Sequence, residues 1–470
     1  MVCLPSGCES GKTVRTLRSW EAGATRMVPL PVVAAHETVV RPVVLGTATH
    51  PVGSTSDGLA AFYQRGREFV PLPLRRPLQV PKDGPPGSDS FEELLDSLGI
   101  SRPVSGGIEF EIDGERFFET VRESIAAARH SIDWHVFIFT NDELSVELAG
   151  LLAERADELE VRLLLDRLGS MAMNLLTPDL PLSCGSRRPA SIQSYLERES
   201  RVRVRKQSNP WFLADHRKIY LFDREVAFLG GVNVAQSYAG DHRDLMVKLT
   251  GPVVEVLADG FERDWRRAGL FGDLRGIPAA FRRSGEPANG EGVSIRILDT
   301  SPWIQEIERA QIAAIRASQR RIVVFTPYFS SLVLTREVED ALQRGVDVSV
   351  VLPDQSDVAL VDGMSWELGA RLHRAGARVF VHENPNGILH MKAAVYDDWV
   401  CLGSANMDTL SLRVNRERNI AFRDPATVDR FLREVVEPVL GEARELDSEA
   451  VEEMRWRLFR RTVRIIGRQL

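Results

Sequence analysis

The chain has 470 residues, more than one hydrophobic core of ordinary size contains, so two or more domains are expected. Hydrophobic residues make up 44% of the chain and charged residues 27%, which is typical of a globular protein. The formal net charge of −7 argues against a protein held to nucleic acid mainly by phosphate contacts, although a local basic groove is compatible with it. No run of about 18 apolar residues occurs, so no membrane-spanning helix is expected.

The first 105 residues are interrupted repeatedly by proline and glycine. We therefore expect residues 1–105 to form a weakly ordered, extended N-terminal arm with one short helix near 91–98. Near its start, Leu4-Pro5-Ser6-Gly7-Cys8 is similar to the cleavage site of a bacterial lipoprotein, but no apolar stretch precedes it. An ordinary flexible terminus is the first interpretation, and a periplasmic lipoprotein with an upstream start is the alternative.

Helical and strand patterns alternate from about residue 106 onward. In the first part of this region, helices are predicted at 117–128 and 143–156, and strands at 131–139 and 160–165. After a turn-rich linker at 283–292 the order recurs, with strands predicted at 293–298, 321–325 and 346–352 and helices at 304–317 and 334–344. The pattern predicts an α/β fold of two similar sandwich halves, 106–282 and 293–445, which arose by internal duplication.

One set of polar residues occurs in both halves at equal spacing. Each copy has a histidine, a lysine two residues later, an aspartate five residues after the lysine, a glycine-led turn with an asparagine, and an acid 11 residues beyond the asparagine. The members are His216, Lys218, Asp223, Asn233 and Asp244 in the first half, and His390, Lys392, Asp397, Asn406 and Glu417 in the second, where Ser404 lies in the turn. A single copy is usually a surface feature, but two complete copies are not expected by chance.

The spacing has a chemical meaning, because residues two apart on a strand point to the same face. Two histidines, two lysines and two asparagines can therefore surround one phosphate. One histidine attacks phosphorus and forms a phosphohistidine. The other protonates the leaving oxygen and then deprotonates the incoming alcohol or water. Lysine and asparagine donors stabilise charge on the non-bridging oxygens, so neither a metal nor another cofactor is expected.

The remaining members of the set have less specific roles. Asp244 and Glu417 are expected to orient an imidazole or to contact the substrate, and Ser404 to bind substrate with the asparagines. Asp223 and Asp397 are candidates for the catalytic group, with a role in shaping the turn after each strand as the alternative. His135 is expected to be a core or site-edge residue rather than a third catalytic histidine.

Residues 108–440 resemble the phospholipase D superfamily, which is defined by a repeated HxKxxxxD motif, and within it bacterial cardiolipin synthases and their close relatives. Thr326-Pro327-Tyr328-Phe329 and Gly403-Ser404-Ala405-Asn406-Met407-Asp408 are similar to that group's second half, and Arg243-Asp244 to its first. The resemblance implies a phospholipase D fold and a phosphatidyltransferase or phospholipase D activity on phospholipids. It also implies that His216 is the nucleophile and His390 the acid and base. The two N-terminal membrane helices usual in that group are not found in this sequence.

The C-terminal segment, 446–470, is predicted to form a basic amphipathic helix. Apolar and arginine residues recur there on neighbouring faces, namely Trp456, Phe459, Val463, Ile466 and Leu470, and Arg457, Arg460, Arg461, Arg464 and Arg468. Such a helix suits binding in the plane of an anionic membrane, and a helix packed on the protein with a solvated arginine face is the alternative.

Two functions use this set of residues. The first is a phospholipid enzyme of a bacterium, located at the membrane periphery or in the cytoplasm. The second is a nuclease or other nucleic-acid phosphodiesterase with the same two-histidine site. A nuclease needs a basic groove with stacking aromatic residues. The acidic sequence pI of about 5.8 counts against it, so nucleic acid is not the expected partner.

Overall fold

The computed structural model describes residues 50–66, 84–167, 169, 191–207, 213–269, 272 and 292–467. The predicted linker lies outside these residues except for Gly292, and so does the lipoprotein-like segment at the start of the chain.

The two halves arrange their strands in the same order, as an internal duplication requires. The described strands of the first half are β1 Val104–Ile112, β2 Ser131–Val136, β3 Glu160–Asp166, β4 Arg203–Gln207, β5 Ile219–Phe222, β6 Val226–Gly230 and β7 Leu245–Thr250. Those of the second half are β8 Val293–Ser301, β9 Ile304–Gln305, β10 Arg321–Phe325, β11 Asp347–Pro353, β12 Arg378–His382, β13 Ala393–Tyr396, β14 Trp399–Gly403, β15 Glu417–Phe422 and β16 Arg444–Glu445. The first half runs β1-β7-β6-β5-β2-β3-β4, and the second runs β8-β15-β14-β13-β10-β11-β12-β16.

The halves meet at the centre of one continuous sheet. Strands β1 and β8 pair antiparallel there, with Val104 opposite Ile295. Two similar blocks joined by their equivalent strands in antiparallel orientation are related by a local twofold axis. The first half begins with β1 at Val104, close to the predicted boundary at residue 106.

Helices cover both faces of the sheet. They are α1 Pro51–Gly66, α2 Asp89–Ser97, α3 Gly114–Ala127, α4 Glu143–Arg155, α5 Ile192–Glu199, α6 Gln236–Gly240, α7 Pro252–Arg267, α8 Glu306–Ala317, α9 Leu332–Gln343, α10 Ala359–Arg374, α11 Thr409–Arg413, α12 Pro425–Phe431, α13 Glu437–Glu442 and α14 Ser448–Gly467. A π-helical segment, Leu432–Val436, joins α12 to α13.

The strands alternate between two cores, because successive strand residues point to opposite faces. In β5, Tyr220 and Phe222 pack into a core that belongs to the first half, below α3 and α4. Ile219 and Leu221 point the other way, into a core that both halves share. That shared core extends under α7 and α12, so the two halves are fused by packing as well as by the sheet.

The N-terminal arm is more structured than the sequence indicates. The predicted short helix is α2, and its Phe91 and Leu95 are fully buried in the core of the second half. The ring of Phe91 meets that of Trp399 edge-on at a centroid distance of 5.6 Å. The predicted short helix is therefore confirmed, and the expectation of an extended arm is wrong instead for residues 51–66, which form α1.

The C-terminal helix α14 packs along α10. Its Val451, Met454 and Leu458 are buried in the core of the second half, while Trp456 is 48% exposed. The part of α14 whose side chains are described therefore fits the alternative of a packed helix, with Arg457 and Arg460 on its exposed face. The other members of the predicted arginine face lie beyond the described side chains.

Candidate active site

Each histidine motif lies at the point where one half touches the other. His216 and His390 occupy the segments that lead into β5 and β13, rather than the strands themselves as predicted. The backbone N–H of His216 donates to the carbonyl of Arg416 at 2.8 Å, and the N–H of Arg416 donates to Ala214 at 2.9 Å. Each histidine segment is thus paired with the segment of the other half that carries an acid.

The same pairing occurs at the second histidine. The N–H of Arg243 donates to the carbonyl of Ile388 at 2.9 Å, and the N–H of His390 donates to the carbonyl of Arg243 at 2.8 Å. The local twofold relation of the sheet therefore extends to the site.

Each imidazole is held by a carboxylate of the opposite half. Nδ1 of His216 lies 3.0 Å from a carboxylate oxygen of Glu417, and Nδ1 of His390 lies 2.7 Å from Asp244. Both carboxylates are fully buried. An Nδ1–H that donates to a carboxylate leaves the lone pair on Nε2, which is the nitrogen available to attack phosphorus or take a proton. Asp244 and Glu417 therefore have the geometry of the orienting residues that the sequence indicates, and not that of substrate ligands.

The two lysines take equivalent positions beside the rings. Nζ of Lys218 donates to the carbonyl of His216 at 2.7 Å, and Nζ of Lys392 donates to the carbonyl of His390. Nζ of Lys392 also lies 2.8 Å from Nδ1 of His390. Burial lowers the pKa of Lys392 to about 8, against the pull of Asp244 and Glu417. Since carboxylates from both half-sites act on this one ammonium group, the two half-sites lie close together.

The asparagines bring amide groups into the same buried space. Asn233 Oδ1 accepts a hydrogen bond from the N–H of Ile138 at 3.2 Å. Its amide also interacts with the hydroxyl of Tyr238. Oδ1 of Asn406 has no hydrogen-bond partner among the described residues. A buried polar atom without a partner is costly unless a ligand satisfies it. The described residues contain no group of three or more histidine, cysteine, aspartate or glutamate side chains arranged to hold a metal ion.

Ser404 supports the acid. Its hydroxyl donates to Glu417 at 2.6 Å and accepts from the N–H of Arg418 at 3.0 Å, and the residue is 1% exposed. The hydroxyl of Ser404 is thus engaged within the protein, and its contact with substrate stays a prediction. The equivalent residue in the first half is Gly231, where an added Cβ would lie 2.2 Å from Asp244 Oδ1. The shorter acid thus occupies the space that the serine fills in the second half.

The motif aspartates lie at the far ends of the strands. Asp223 accepts hydrogen bonds from the backbone N–H groups of residues 129–131, and Asp397 from those of residues 319–321. Both have positive φ, 54° and 49°, which aspartate tolerates in turns. Each is seven residues from its histidine, or about 20 Å along an extended segment. The structure therefore does not bring Asp223 and Asp397 to the catalytic group, and the alternative of a turn-shaping role holds.

Burial and neighbouring cations lower the pKa of both histidines. Burial lowers the pKa of His216, and Lys218 and Lys392 lower it further, while Glu417 raises it. The pKa of His390 is held well below its usual range by burial, by Lys392 and by His242. The two half-sites are thus alike in geometry and unlike in electrostatics.

A buried ionic cluster supports the His216 segment from beneath. Asp215 takes two hydrogen bonds of 2.7 Å from the guanidinium of Arg217, and Nε2 of His135 lies 3.1 Å from it. Burial alone would raise the pKa of Asp215, but Arg217 and His135 hold it well below the usual range. His135 is 1% exposed, which confirms it as a core residue.

Three aromatic rings beside the histidines are not apparent from the motif. Phe137 meets His216 edge-on at a centroid distance of 4.6 Å. Tyr238 meets His390 edge-on at 5.1 Å, and the ring of His242 stacks on His390 at 6.0 Å. Tyr238 of α6 and His242 just after it lie between Asn233 and Asp244 in the chain, and this position is the sequence signal that points to them.

The sheet has pseudo-twofold symmetry, and each half contributes a histidine, a lysine and an asparagine to one centre. These features define a phosphodiester-bond enzyme of the phospholipase D superfamily. The family model described as "Cardiolipin synthase, PLD-like domain" matches residues 121–265 and 311–437. The chain belongs to this family.

Named relatives agree with this membership. The chain is 32% identical over 388 residues to cardiolipin synthase A of Pseudomonas entomophila, which covers 77% of this chain and 75% of that protein. It is 29% identical over 324 residues to the major cardiolipin synthase ClsA of Bacillus subtilis, covering 66% of this chain and 64% of that protein. The crystal structure of phosphatidylserine synthase from Haemophilus influenzae is similar in fold, with a TM-score of 0.60 at 14% identity over 80% of this chain and 98% of that one. The predicted fold and superfamily are confirmed.

Proposed function

We propose that the protein is a phosphatidyltransferase of the cardiolipin synthase type that works through a phosphohistidine. The observation that carries this proposal is the pair of histidines, each with its Nδ1 held by a carboxylate of the other half. The names of the relatives support a phospholipid as the substrate. No described feature favours nucleic acid over a phospholipid.

The reaction divides into two displacements at phosphorus. In the first, Nε2 of His216 attacks, the bond from phosphorus to the leaving alcohol breaks, and His390 gives that oxygen a proton. In the second, an acceptor hydroxyl attacks, His390 takes its proton, and the phosphorus–nitrogen bond breaks. Lys218 and Lys392, with Asn233 and Asn406, donate to the non-bridging oxygens, where charge develops in each transition state.

The low pKa of His390 couples its protonation to the substrate. An acid in the first step must carry a proton, and burial disfavours that form in the free enzyme. An anionic phosphate between the rings raises both histidine pKa values, because opposite charge nearby stabilises the imidazolium. His390 thus becomes a competent acid when the phosphodiester is bound.

The assignment of the nucleophile is tested by trapping. In His390→Asn, a phosphodiester with a good leaving group should phosphorylate His216 and then stall, because no base activates the acceptor. In His216→Asn, no covalent species should form. Peptide mapping of the trapped group to His390 would reverse the two roles and leave the two-histidine mechanism intact.

The function itself is tested with lipids. Purified protein is incubated with phosphatidylglycerol vesicles, with and without added glycerol, and the products are separated and identified. Transfer predicts a new phosphatidyl ester that responds to glycerol, whereas hydrolysis predicts phosphatidic acid. The nuclease would be established instead if neither product formed and the protein cleaved a single-stranded nucleic acid. That cleavage would have to be abolished in His216→Asn.

We also propose that the enzyme binds the membrane peripherally, with the arginine face of α14 toward anionic lipid. No helix within the described parts of the chain has the length and apolar character needed to cross a bilayer. Each arginine near an anionic surface contributes about 1 kcal/mol of binding free energy. The double variant Arg457→Gln/Arg460→Gln preserves the buried contacts of α14, so it should weaken binding to anionic vesicles about 30-fold. Unchanged binding would leave α14 as a packing helix.

A further inference from the structure

Helix α1 has its apolar and polar faces reversed. A helix on the surface of a globular protein buries its large apolar side chains and exposes its polar ones. In α1 the buried face consists of small or polar residues, Ser54, Asp57, Ala60, Ala61 and Gln64. The outward face carries large apolar side chains with exposures of 49% to 79%, namely Val52, Leu59, Phe62 and Tyr63.

Neighbouring elements extend this apolar face. Trp303 is 63% exposed, and its indole N–H donates to Asp57 of α1 at 3.1 Å. Ile304, the next residue, is 46% exposed, and so is Leu410 of α11, a helix that packs against α1. We call Leu59, Phe62, Tyr63, Trp303, Ile304 and Leu410 the α1 patch. Exposed apolar surface grouped in this way marks an interaction site.

The α1 patch lies close to the segment that carries His216. Ala61 of α1 packs with Leu213 and Val414, which precede His216 and Glu417 by three residues each. Asp57 accepts a hydrogen bond of 2.6 Å from Arg416, whose carbonyl accepts the N–H of His216. Trp303 of the patch and the catalytic His216 are therefore connected through three hydrogen bonds, by way of Asp57 and Arg416.

Other exposed apolar residues lie near the second histidine. Leu332 follows the loop after β10, and Val358 and Met364 follow the end of β11; these side chains are 40% to 48% exposed. Both loops lie beside the His390 segment, because β13 pairs antiparallel with β10. Apolar exposure is thus found around both half-sites.

We propose that the α1 patch rests in the interface of a phospholipid bilayer and places the opening of the active site at the level of the lipid phosphates. This inference rests on the proposed function, because a phosphatidyltransferase must reach a phosphodiester at the bilayer surface. Tryptophan, tyrosine, phenylalanine and leucine are the residues that interfacial helices place among headgroups and upper acyl chains. The patch contains all four types.

The test compares wild-type protein with the full-length variant Leu59→Ser/Phe62→Ser. Both side chains are more than 60% exposed, so the thermal midpoint should not change. Sedimentation with vesicles of phosphatidylcholine and of phosphatidylglycerol gives the binding constants. Activity on a short-chain, monomeric phosphatidylglycerol reports the site without a bilayer. Glu93→Ser, a surface change on α2, is the control for substitution in the N-terminal arm.

The expected result is at least tenfold weaker binding to both kinds of vesicle, with activity on the short-chain lipid within twofold of wild type. Equal vesicle binding by variant and wild type would overturn the proposal. So would a change of the variant to a smaller assembly in light scattering with vesicle binding unchanged, since the patch would then join two copies of the chain. Weaker vesicle binding in a protein that transfers no phosphatidyl group would uphold the patch and refute the proposed function.

Discussion

The contact between Asp244 and His390 allows a quantitative test of how the site is oriented. In Asp244→Asn the shape of the side chain is kept and its charge is lost. The amide can donate to Nδ1 of His390, which moves the ring proton to Nε2. Nε2 is the nitrogen that must take up and release the proton of the alcohol, so the variant holds the wrong tautomer.

The size of the effect follows from burial. The bond is 2.7 Å long, and both partners are buried. A hydrogen bond to a charged group contributes about 1.5–3 kcal/mol, or about 10- to 150-fold in rate. The tautomer change adds to this, since the same substitution in a serine-protease triad lowers kcat about 10⁴-fold. We therefore expect kcat to fall by about three to four orders of magnitude, with KM changed much less.

The assay measures transfer from phosphatidylglycerol across pH, with Glu417→Gln as the matched variant at the other histidine. A phosphodiester with a good leaving group bypasses the need for an acid, so it should restore the covalent step in Asp244→Asn if His390 is the acid. Retention of more than a tenth of wild-type kcat in Asp244→Asn, with correct folding, would show that another group orients His390.

Three further outcomes are expected. Asp397→Asn should lower the free energy of unfolding by about 1–3 kcal/mol through weaker backbone contacts, with kcat/KM unchanged. A loss of kcat in the folded variant would show that Asp397 has a catalytic role. The profile of kcat/KM against pH should fall at low pH as the nucleophile His216 takes up a proton, below the usual histidine value of 6.5, because burial lowers its pKa. On the alkaline side it should fall as the acid His390 loses its proton, and again above pH about 8 as Lys392 loses its own. A fall above pH about 8 that persists in Lys392→Arg would contradict the second origin. Activity should survive a chelator, because lysine and asparagine supply the phosphate contacts, and strict dependence on a divalent cation would refute that view.

Local periodicity accounts for the parts of the fold that the sequence predicts. Helices and strands such as 143–155 and 321–325 agree closely with the predicted bounds, because each carries its own apolar pattern. The duplication is visible for the same reason, since two copies of one pattern survive at equal spacing. The antiparallel pairing of β1 with β8 has no such local signal, so the joining of the halves into one sheet was not predicted.

The active site, like the fold, has parts that the sequence predicts and parts that it does not. Motif spacing identifies His216 and His390, but it does not show which half supplies the acid for each ring, because that depends on packing between halves. Motif spacing also suggests a catalytic role for Asp223, whereas this residue shapes the turn after its strand. Helix α1 was missed because periodicity detects a buried apolar stripe, whereas the apolar stripe of α1 faces outward.

The exchange of acids between the halves has a consequence for synthesis of the chain. His216 and Glu417 are separated by 201 residues, and His390 and Asp244 by 146. Neither ring can be oriented until most of the second half has left the ribosome, so a nascent first half cannot attack lipid. Contacts of such long range also slow folding, since a long loop must close before they form. The same arrangement implies that separately produced halves would be inert alone and would regain activity only by associating.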